Sequence, residues 1–251
     1  MSERTAARLA QVGVVCALLI LWQLAATVWG VSRLLLPPPL PVLRAFYRLL
    51  VSGAFLSDLE LTLFELAAAF LLAAVAGGVI GYLVSRSSYT IEVFNPLFTS
   101  LYAIPSILLF PLYVMYFGLG AESKIAMGAS VAFFPIVLNT VAGLDYVDRA
   151  YVKAARSMGA SGRQMFCFVM VPAAFPVLLT GLRLGFILAF LAILGAETIA
   201  SLAGLGHRIV SLAEALDTTQ MFAYILLVIL VAAALNAAVS LIEARGRWTP
   251  L

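Results

Sequence analysis

Long apolar stretches without a charged residue are the feature that most limits how this chain folds. Residues 93–120 contain no Asp, Glu, Lys or Arg. Of all 251 residues, 64% are hydrophobic and 11% are charged, whereas a soluble domain carries about 25% charged residues. A soluble fold of this length needs a polar surface, which this composition does not supply. The sequence therefore predicts an all-α integral membrane protein and excludes soluble enzymes, nucleic-acid-binding proteins and disordered tails.

Six segments are predicted to be transmembrane helices, because a spanning helix needs about 20 mostly apolar residues. They are residues 12–29, 61–83, 93–117, 125–144, 172–196 and 221–242. An even number of spans places both termini on one side of the membrane. We expect the N- and C-termini to be cytoplasmic, because nine Lys and Arg then lie inside and five, Lys124 among them, lie outside, as the positive-inside rule requires. The chain is predicted to be a single domain, residues 1–251.

A proline-rich run separates the first two predicted spans. Residues 36–41 read Leu-Pro-Pro-Pro-Leu-Pro, and we expect them to be extended because each proline lacks an N–H donor and restrains the residue before it. In residues 42–51, apolar side chains recur at helical spacing while Arg44 and Arg48 take another face. This pattern is typical of a short interfacial helix, and a plain external loop is the alternative.

Small residues recur at every fourth position of the second span, at Ala69, Ala73, Gly77 and Gly81. Such a face lets another helix approach closely in a membrane, where hydrophobic association is weak. The sequence leaves open whether that helix belongs to the same chain or to a second copy.

Prolines within the third and fourth spans predict kinked or interrupted helices. They are Pro96, Pro105 and Pro111 in the third span and Pro135 in the fourth. Inside a membrane, the freed carbonyls must be satisfied by neighbours or water. Helices of this kind often line a solute path, but they also serve to bend a bundle into a compact shape, and both interpretations stay open.

The sequence offers no set of residues for catalysis or metal binding. There is no G-x-x-x-x-G-K-[ST] loop, so any ATP must be bound by another subunit. The single histidine, His207, has no G-x-S-x-G partner and no second metal ligand nearby in sequence. We therefore expect neither an enzyme nor a metalloprotein.

The loop before the fifth span carries the most specific motif. Its matching positions are Ala154, Ala155, Gly159, Val169, Val171 and Pro172. This register resembles the E-A-A-x3-G-x9-I-x-L-P signature of the permease subunits of ATP-binding cassette importers, where the segment forms a coupling helix in a cleft of the ATPase. The resemblance implies that residues 151–164, in a cytoplasmic loop 145–164, couple this chain to an ATPase, chiefly through Lys153, Ala154, Ala155, Arg156, Ser157, Met158 and Gly159.

The chemistry of this loop fits the resemblance. Small side chains at Ala154 and Ala155 leave a helix surface that another protein can enclose, and Gly159 permits the turn that ends the helix. Lys153 departs from the family, which usually has an acidic residue there. The polar contact normally made at that position is therefore absent or reversed in charge.

Shorter motifs, in the same order along the chain, resemble the nitrate, sulfonate and taurine branch of the binding-protein-dependent transport family. They include residues 101–105, 117–120, 134–140, 181–183 and 204–206. The resemblance implies a type I importer permease fold in a bacterial inner membrane, with a second permease copy as a homodimer. It also implies two ATPase subunits holding ATP and Mg²⁺, an external solute-binding protein, membrane lipid around the spans, no cofactor in this chain and no nucleic acid.

Polar residues within the spans are candidates for the solute path, since ionisable groups in a membrane are costly. Arg183 lies about 16 Å into the fifth span if the helix starts at Pro172, where its guanidinium would meet an anionic solute. If the helix starts nearer Val177, Arg183 reaches the headgroups and is structural. Weaker candidates, each of which can also be an interhelical hydrogen-bonding residue, are Tyr102, Ser106, Asn139 and Glu197.

A secondary transporter driven by an ion gradient is the alternative function. It would favour carboxylates near mid-membrane and an inverted repeat. Glu60 and Glu65 lie towards a span end, and the two halves of the chain share no obvious pattern. The sequence therefore favours the importer.

Overall fold

The computed structural model describes residues 3–28, 32 and 34–246, and within them every regular element is helical. A short 3₁₀ segment, Ser106–Leu109, precedes α5, and a π-helical segment, Phe166–Met170, joins α8 to α9. The α-helices are α1 (Glu3–Thr27), α2 (Pro39–Ser52), α3 (Leu56–Ser85), α4 (Ser88–Tyr102), α5 (Phe110–Phe117), α6 (Ala121–Asp145), α7 (Arg149–Ser157), α8 (Gly162–Met165), α9 (Val171–Ile199), α10 (Leu205–Glu214) and α11 (Thr218–Gly246).

The core of the bundle is the packing of α3 and α9 on either side of α6. The four small residues of α3 at every fourth position are all buried. A Cβ added to Gly81 would lie 2.6 Å from Cβ of Thr140, and one added to Gly77 would lie 2.9 Å from Cγ2 of Ile136. The predicted packing face is confirmed, and its partner is α6 of the same chain.

The contact between α6 and α9 also depends on glycines, which here belong to α9. A Cβ on Gly185 would lie 2.7 Å from the side chain of Ile136, and one on Gly181 would lie 2.5 Å from Cβ of Asn139. Because glycines remove the side chain at each contact, the helix backbones approach closely along both faces.

Most of the predicted spans are recognisable in the structure. Four helical stretches among the described residues are long and apolar enough to cross a membrane, and a fifth span results if the bent pair α4 and α5 counts as one. The first predicted span, 12–29, overlaps α1, a helix of 25 residues whose part Cys16–Thr27 is apolar; Trp29 lies outside the described residues. That six segments cross the membrane stays a prediction.

The third predicted span is broken, as its prolines indicated. The axes of Ser88–Tyr102 and Ser106–Phe117 differ by 79°. Pro105 is extended at the break, with φ −62° and ψ 97°. Pro96 and Pro135 lie inside α4 and α6, which continue through them. The position of a proline alone did not tell which helix would break.

The helix that contains the fifth predicted span starts before that span. Helical structure runs from Gly162 to Ile199, so the helix starts neither at Pro172 nor near Val177. The π-helical segment ends directly before this proline, and the N–H of Val171 donates to the carbonyl of Phe166, five residues back. This wider turn lets the helix continue at a residue that lacks an N–H donor.

The proline-rich run also differs from its prediction. Helix α2 begins at Pro39, although residues 36–41 were expected to be extended throughout. The first-turn N–H groups of a helix have no partner within it, so prolines fit there. The predicted short helix is confirmed: Val42, Ala45 and Leu49 are buried against the bundle, while Arg44 and Arg48 are exposed.

Two glycine substitutions on α3 test this packing. Gly81→Ala places a methyl group against Thr140 and the carbonyl of Val137, so we expect it to reduce the free energy of unfolding by about 1–3 kcal/mol. Gly78→Ala is the matched control, since a Cβ there meets nothing within 4 Å. Detergent-solubilised protein unfolded by increasing denaturant gives both values, and equal stabilities would contradict the proposed α3–α6 contact.

Candidate functional site

Helix α7, Arg149–Ser157, lies in the loop that resembles the coupling segment of importer permeases. Its N-terminus is capped by Asp148, whose Oδ1 accepts a hydrogen bond from the N–H of Ala150 at 2.8 Å. The preceding Val147 is buried in a cluster with Leu144, the penultimate residue of α6. These contacts set where the chain leaves α6 and where the short helix begins.

The C-terminus of α7 is closed by a glycine in the left-handed conformation. Gly159 has φ +78°, and its N–H donates to the carbonyl of Arg156 at 3.0 Å. The N–H of Ala160 donates to the carbonyl of Ala155 at 3.0 Å, which completes a Schellman motif. The expected helix-ending turn at Gly159 is present. Because a Cβ there would meet nothing within 4 Å, backbone conformation alone favours glycine.

Most of the surface of α7 is exposed. Only Val152 and Ala155 are partly buried, and the other seven residues of the helix are exposed. Tyr151 is 61% exposed, and Met158, which follows the helix, is 86% exposed. Large apolar side chains exposed on a capped, rigid helix are typical of a surface that another protein covers.

Tyr102 and Ser106 lie on the two sides of the break in the third span. The ring of Tyr102 stacks on Phe134 of α6, with 5.9 Å between centroids. Ser106 and Phe134 both line a cavity of about 450 Å³ between α3, the break and α6. In this cavity the hydroxyl of Tyr113 donates to Oγ of Ser130 at 2.8 Å. Of the predicted path residues, Ser106 thus lines a largely apolar cavity with a few hydroxyl groups, and Tyr102 packs against Phe134 in the wall of that cavity.

Arg183 lies at a contact between α9 and α11. Its Nη2 donates to Oδ1 of Asn236 at 3.0 Å and to Oγ of Ser240 at 3.5 Å. Arg183 and Asn236 also line a cavity of about 430 Å³ between these two helices, whose other walls are apolar. The guanidinium is therefore half-buried among polar groups of α11 and stands apart from Tyr102 and Ser106.

Asn139 is part of the contact between α6 and α9. Its Nδ2 donates to the carbonyl of Pro135 at 2.8 Å, on its own helix, and its Cβ faces Gly181. This placement satisfies the side chain within the bundle and leaves it half-buried.

Glu197 lies in a buried polar cluster at one end of the core helices. It is 1% exposed. Its Oε1 accepts a hydrogen bond from the hydroxyl of Thr62 at 2.6 Å, and its Oε2 accepts one from the N–H of Gly206 at 2.6 Å. A Cβ on Gly204 would overlap this carboxylate. Glu197 thus joins α9 to α3 and to the first turn of α10.

The same cluster contains two charged residues that the sequence analysis missed. Lys124 is 1% exposed, and its Nζ donates to the carbonyls of Gly120, at 2.9 Å, and Leu119. Glu65 is also 1% exposed, and its carboxyl oxygens have no hydrogen-bond partner among the described residues. The sequence analysis counted Lys124 as an external charge and placed Glu65 at a span end. Their position at the edges of apolar spans was the available signal, because ionisable groups there are seldom incidental.

Comparison with known proteins identifies the class of this chain. A family described as "Binding-protein-dependent transport system inner membrane component" matches residues 69–247. The chain belongs to this family. It is the permease subunit of an ATP-binding cassette importer, a multi-pass protein of the bacterial inner membrane, and not an enzyme. The matched range contains α7 and every candidate path residue.

Curated relatives extend the similarity over most of the permease. The putative aliphatic sulfonates transport permease protein SsuC of Bacillus subtilis (strain 168) is 31% identical, over 90% of this chain and 82% of its own length. The taurine transport system permease protein TauC of Escherichia coli (strain K12) is 30% identical, over 93% and 87%. The nitrate import permease protein NrtB of Synechocystis sp. (strain ATCC 27184 / PCC 6803 / Kazusa) is 30% identical, over 78% and 73%. The branch suggested by the short motifs is confirmed, and the ion-gradient alternative is not supported.

Solved structures confirm the fold. A chain of the MetNI methionine ABC transporter, in an inward-facing conformation, superposes with a TM-score of 0.67 at 19% identity, covering 77% of the permease and 96% of that chain. An amino acid ABC transporter crystallised with histidines gives a TM-score of 0.63 at 20% identity, covering 79% and 97%. The permease therefore has the type I importer fold.

Substitution of Glu197 tests the buried cluster. Glu197→Ala leaves the Gly206 N–H without its acceptor, whereas the Thr62 hydroxyl keeps the carbonyl of Asp58 as an acceptor, so we expect a loss of about 1–3 kcal/mol of unfolding free energy. Glu60→Gln is the control, because Glu60 is an exposed carboxylate on α3. Denaturant titration of the two variants gives the comparison, and a Glu197→Ala protein as stable as Glu60→Gln would contradict the fastening role.

Proposed function

We propose that this permease carries a small anionic solute of the sulfonate, taurine or nitrate kind, and that α7 couples it to a cytoplasmic ATPase. The solute class is supported by relatives of about 30% identity that are named for sulfonates, taurine and nitrate. The coupling role is carried by one observation, the capped and exposed helix α7 with its small residues Ala154 and Ala155.

The working assembly in this proposal has two copies of the permease, two ATPase subunits and an external solute-binding protein. ATP and Mg²⁺ are held by the ATPase subunits, since this chain has no phosphate-binding loop. The termini and α7 lie on the cytoplasmic side, and the solute enters where α3, α6 and α9 meet α10. Membrane lipid surrounds the outer faces of the spans.

Coupling requires that the ATPase bind α7 differently in its two states. A partner shifts a conformational equilibrium only by the difference in its affinity for the two conformations. Helix α7 is joined to α6 by a buried hydrophobic cluster and continues through α8 into the long helix that ends at Ile199. Displacement of α7 therefore acts on both central helices of the core at once.

The direct test of this proposal is uptake by the full assembly. The permease, its ATPase and the solute-binding protein are reconstituted in liposomes, and uptake of radiolabelled taurine, an alkane sulfonate and nitrate is measured with and without ATP. ATP-dependent uptake of one of these anions is expected. Uptake that follows an imposed ion gradient without ATP would overturn the proposal.

Substitution of Gly159 tests the coupling site. Gly159→Trp forces a bulky residue into the left-handed conformation and distorts the end of α7, so we expect the ATPase to be lost on mild-detergent purification of the tagged permease. Gly118→Trp is the matched control, because Gly118 has the same φ of +78° and equally open surroundings but lies just before α6, at the end away from α7. Retention of the ATPase by Gly159→Trp would contradict docking at α7.

Two variants separate the possible roles of Arg183. Arg183→Gln is expected to reduce uptake at least about tenfold while the complex still assembles, because the charge-assisted hydrogen bond between the guanidinium and the anionic solute is lost. Asn236→Ala removes one acceptor of Arg183 but keeps the cation. Uptake near the wild-type level in Asn236→Ala supports a direct contact with the anion, whereas an equal loss in both variants assigns Arg183 to the α9–α11 contact alone.

A further inference from the structure

The exposed surface of α7 carries two different faces, one basic and one apolar. Arg149, Lys153 and Arg156 follow i, i+4 and i+7 spacing and therefore lie on one side of the helix. Tyr151, Ala154 and Met158 follow i, i+3 and i+7 spacing and lie on the opposite side. All six residues are exposed.

We propose that α7 docks in a cleft of the ATPase that has an acidic wall facing Lys153 and an apolar wall facing Tyr151. This inference rests on the proposed coupling function and adds the chemistry of the partner. The family usually has an acidic residue at the position of Lys153. In this proposal the positive charge of Lys153 attracts carboxylates of the ATPase that binds this permease.

The shape of the exposed surface favours a cleft over a flat partner. Val152 and Ala155 are the residues of α7 that turn towards the bundle, and the exposed residues cover an arc of about 220° at 100° per residue. Small residues, Ala150, Ala154 and Ser157, lie in the middle of that arc. A planar membrane surface contacts the basic or the apolar side, whereas the walls of a cleft contact both.

The positive charge of α7 favours a partner whose binding surface is negatively charged. The helix contains Arg149, Lys153 and Arg156 and no Asp or Glu, and the nearest carboxylate, Asp148, is engaged as the N-cap. Three like charges on one face repel a basic partner surface and attract an acidic one. Tyr and Met side chains with large exposure supply the apolar part of such an interface.

The test measures binding of the purified ATPase to the permease in nanodiscs of neutral phosphatidylcholine. The ATPase is the subunit that co-purifies with the wild-type permease. Lys153→Glu is expected to weaken binding at least about tenfold at low salt. Arg86→Glu is the matched control, because Arg86 is an exposed cation at the same end of the bundle but outside α7; it is expected to leave affinity within about twofold. Tyr151→Ala is expected to weaken binding without changing its salt dependence.

A carbodiimide cross-link identifies the acidic wall directly. The reagent joins a lysine amine to a carboxylate in contact with it, so mass spectrometry is expected to find Lys153 linked to Asp or Glu of the ATPase. Lys153→Arg is expected to bind normally and to lose this cross-link.

Different outcomes separate this inference from the proposed function. Unchanged affinity in Lys153→Glu, with normal binding of the wild type, overturns the acidic wall and leaves the coupling function standing. No binding of any ATPase to the wild type overturns the coupling function itself. A charge effect seen only in nanodiscs that contain anionic phosphatidylglycerol assigns the basic face to lipid headgroups and also overturns the inference.

Discussion

Close approach of α3, α6 and α9 through small residues is the interaction on which the rest of the structure depends. In a membrane, two helices gain little from hiding apolar surface from each other, so van der Waals contact between closely spaced backbones must supply the association. Gly77 and Gly81 on one side of α6, and Gly181 and Gly185 on the other, provide that contact. With α6 held on both faces, the loops at its two ends acquire fixed positions.

The two ends of α6 have different surroundings. At one end, Lys124 enters an apolar bundle beside Glu65 and Glu197, and burial of these charges is costly unless they are compensated. Hydrogen bonds from Thr62 and Gly206 to Glu197 offset part of that cost and join three helices, α3, α9 and α10. The other end of α6 leads into α7, which remains largely exposed. Buried hydrogen bonds therefore hold the helices together at one end of the permease, whereas the other end exposes α7.

Features set by neighbouring residues in the chain were predictable from the sequence, and features that depend on contacts between distant segments were not. The ridge on α3 and the turn at Gly159 each follow from residue type and spacing, and the prolines of the third span predicted an interruption without giving its position. The helix start before Pro172 was not predicted, because a π-helical turn carries the helix past this proline. Lys124 was read as an external charge, since a single sequence does not show that another chain segment buries it. The partners of Arg183 on α11 are 53 and 57 positions away.

The long helical stretch from Gly162 to Ile199 connects these two ends mechanically. It starts two residues after the Schellman motif that ends α7, packs on α6, and ends two residues beyond Glu197. Its main irregularity is the π-helical segment before Pro172, close to α7, where the hydrogen-bond ladder is wider. If α7 couples to the ATPase as proposed, a force applied there reaches the π-helical segment first and the glycine-packed part of the helix afterwards. We therefore expect bending at the π-helical segment, with the rest of the helix moving together with α6.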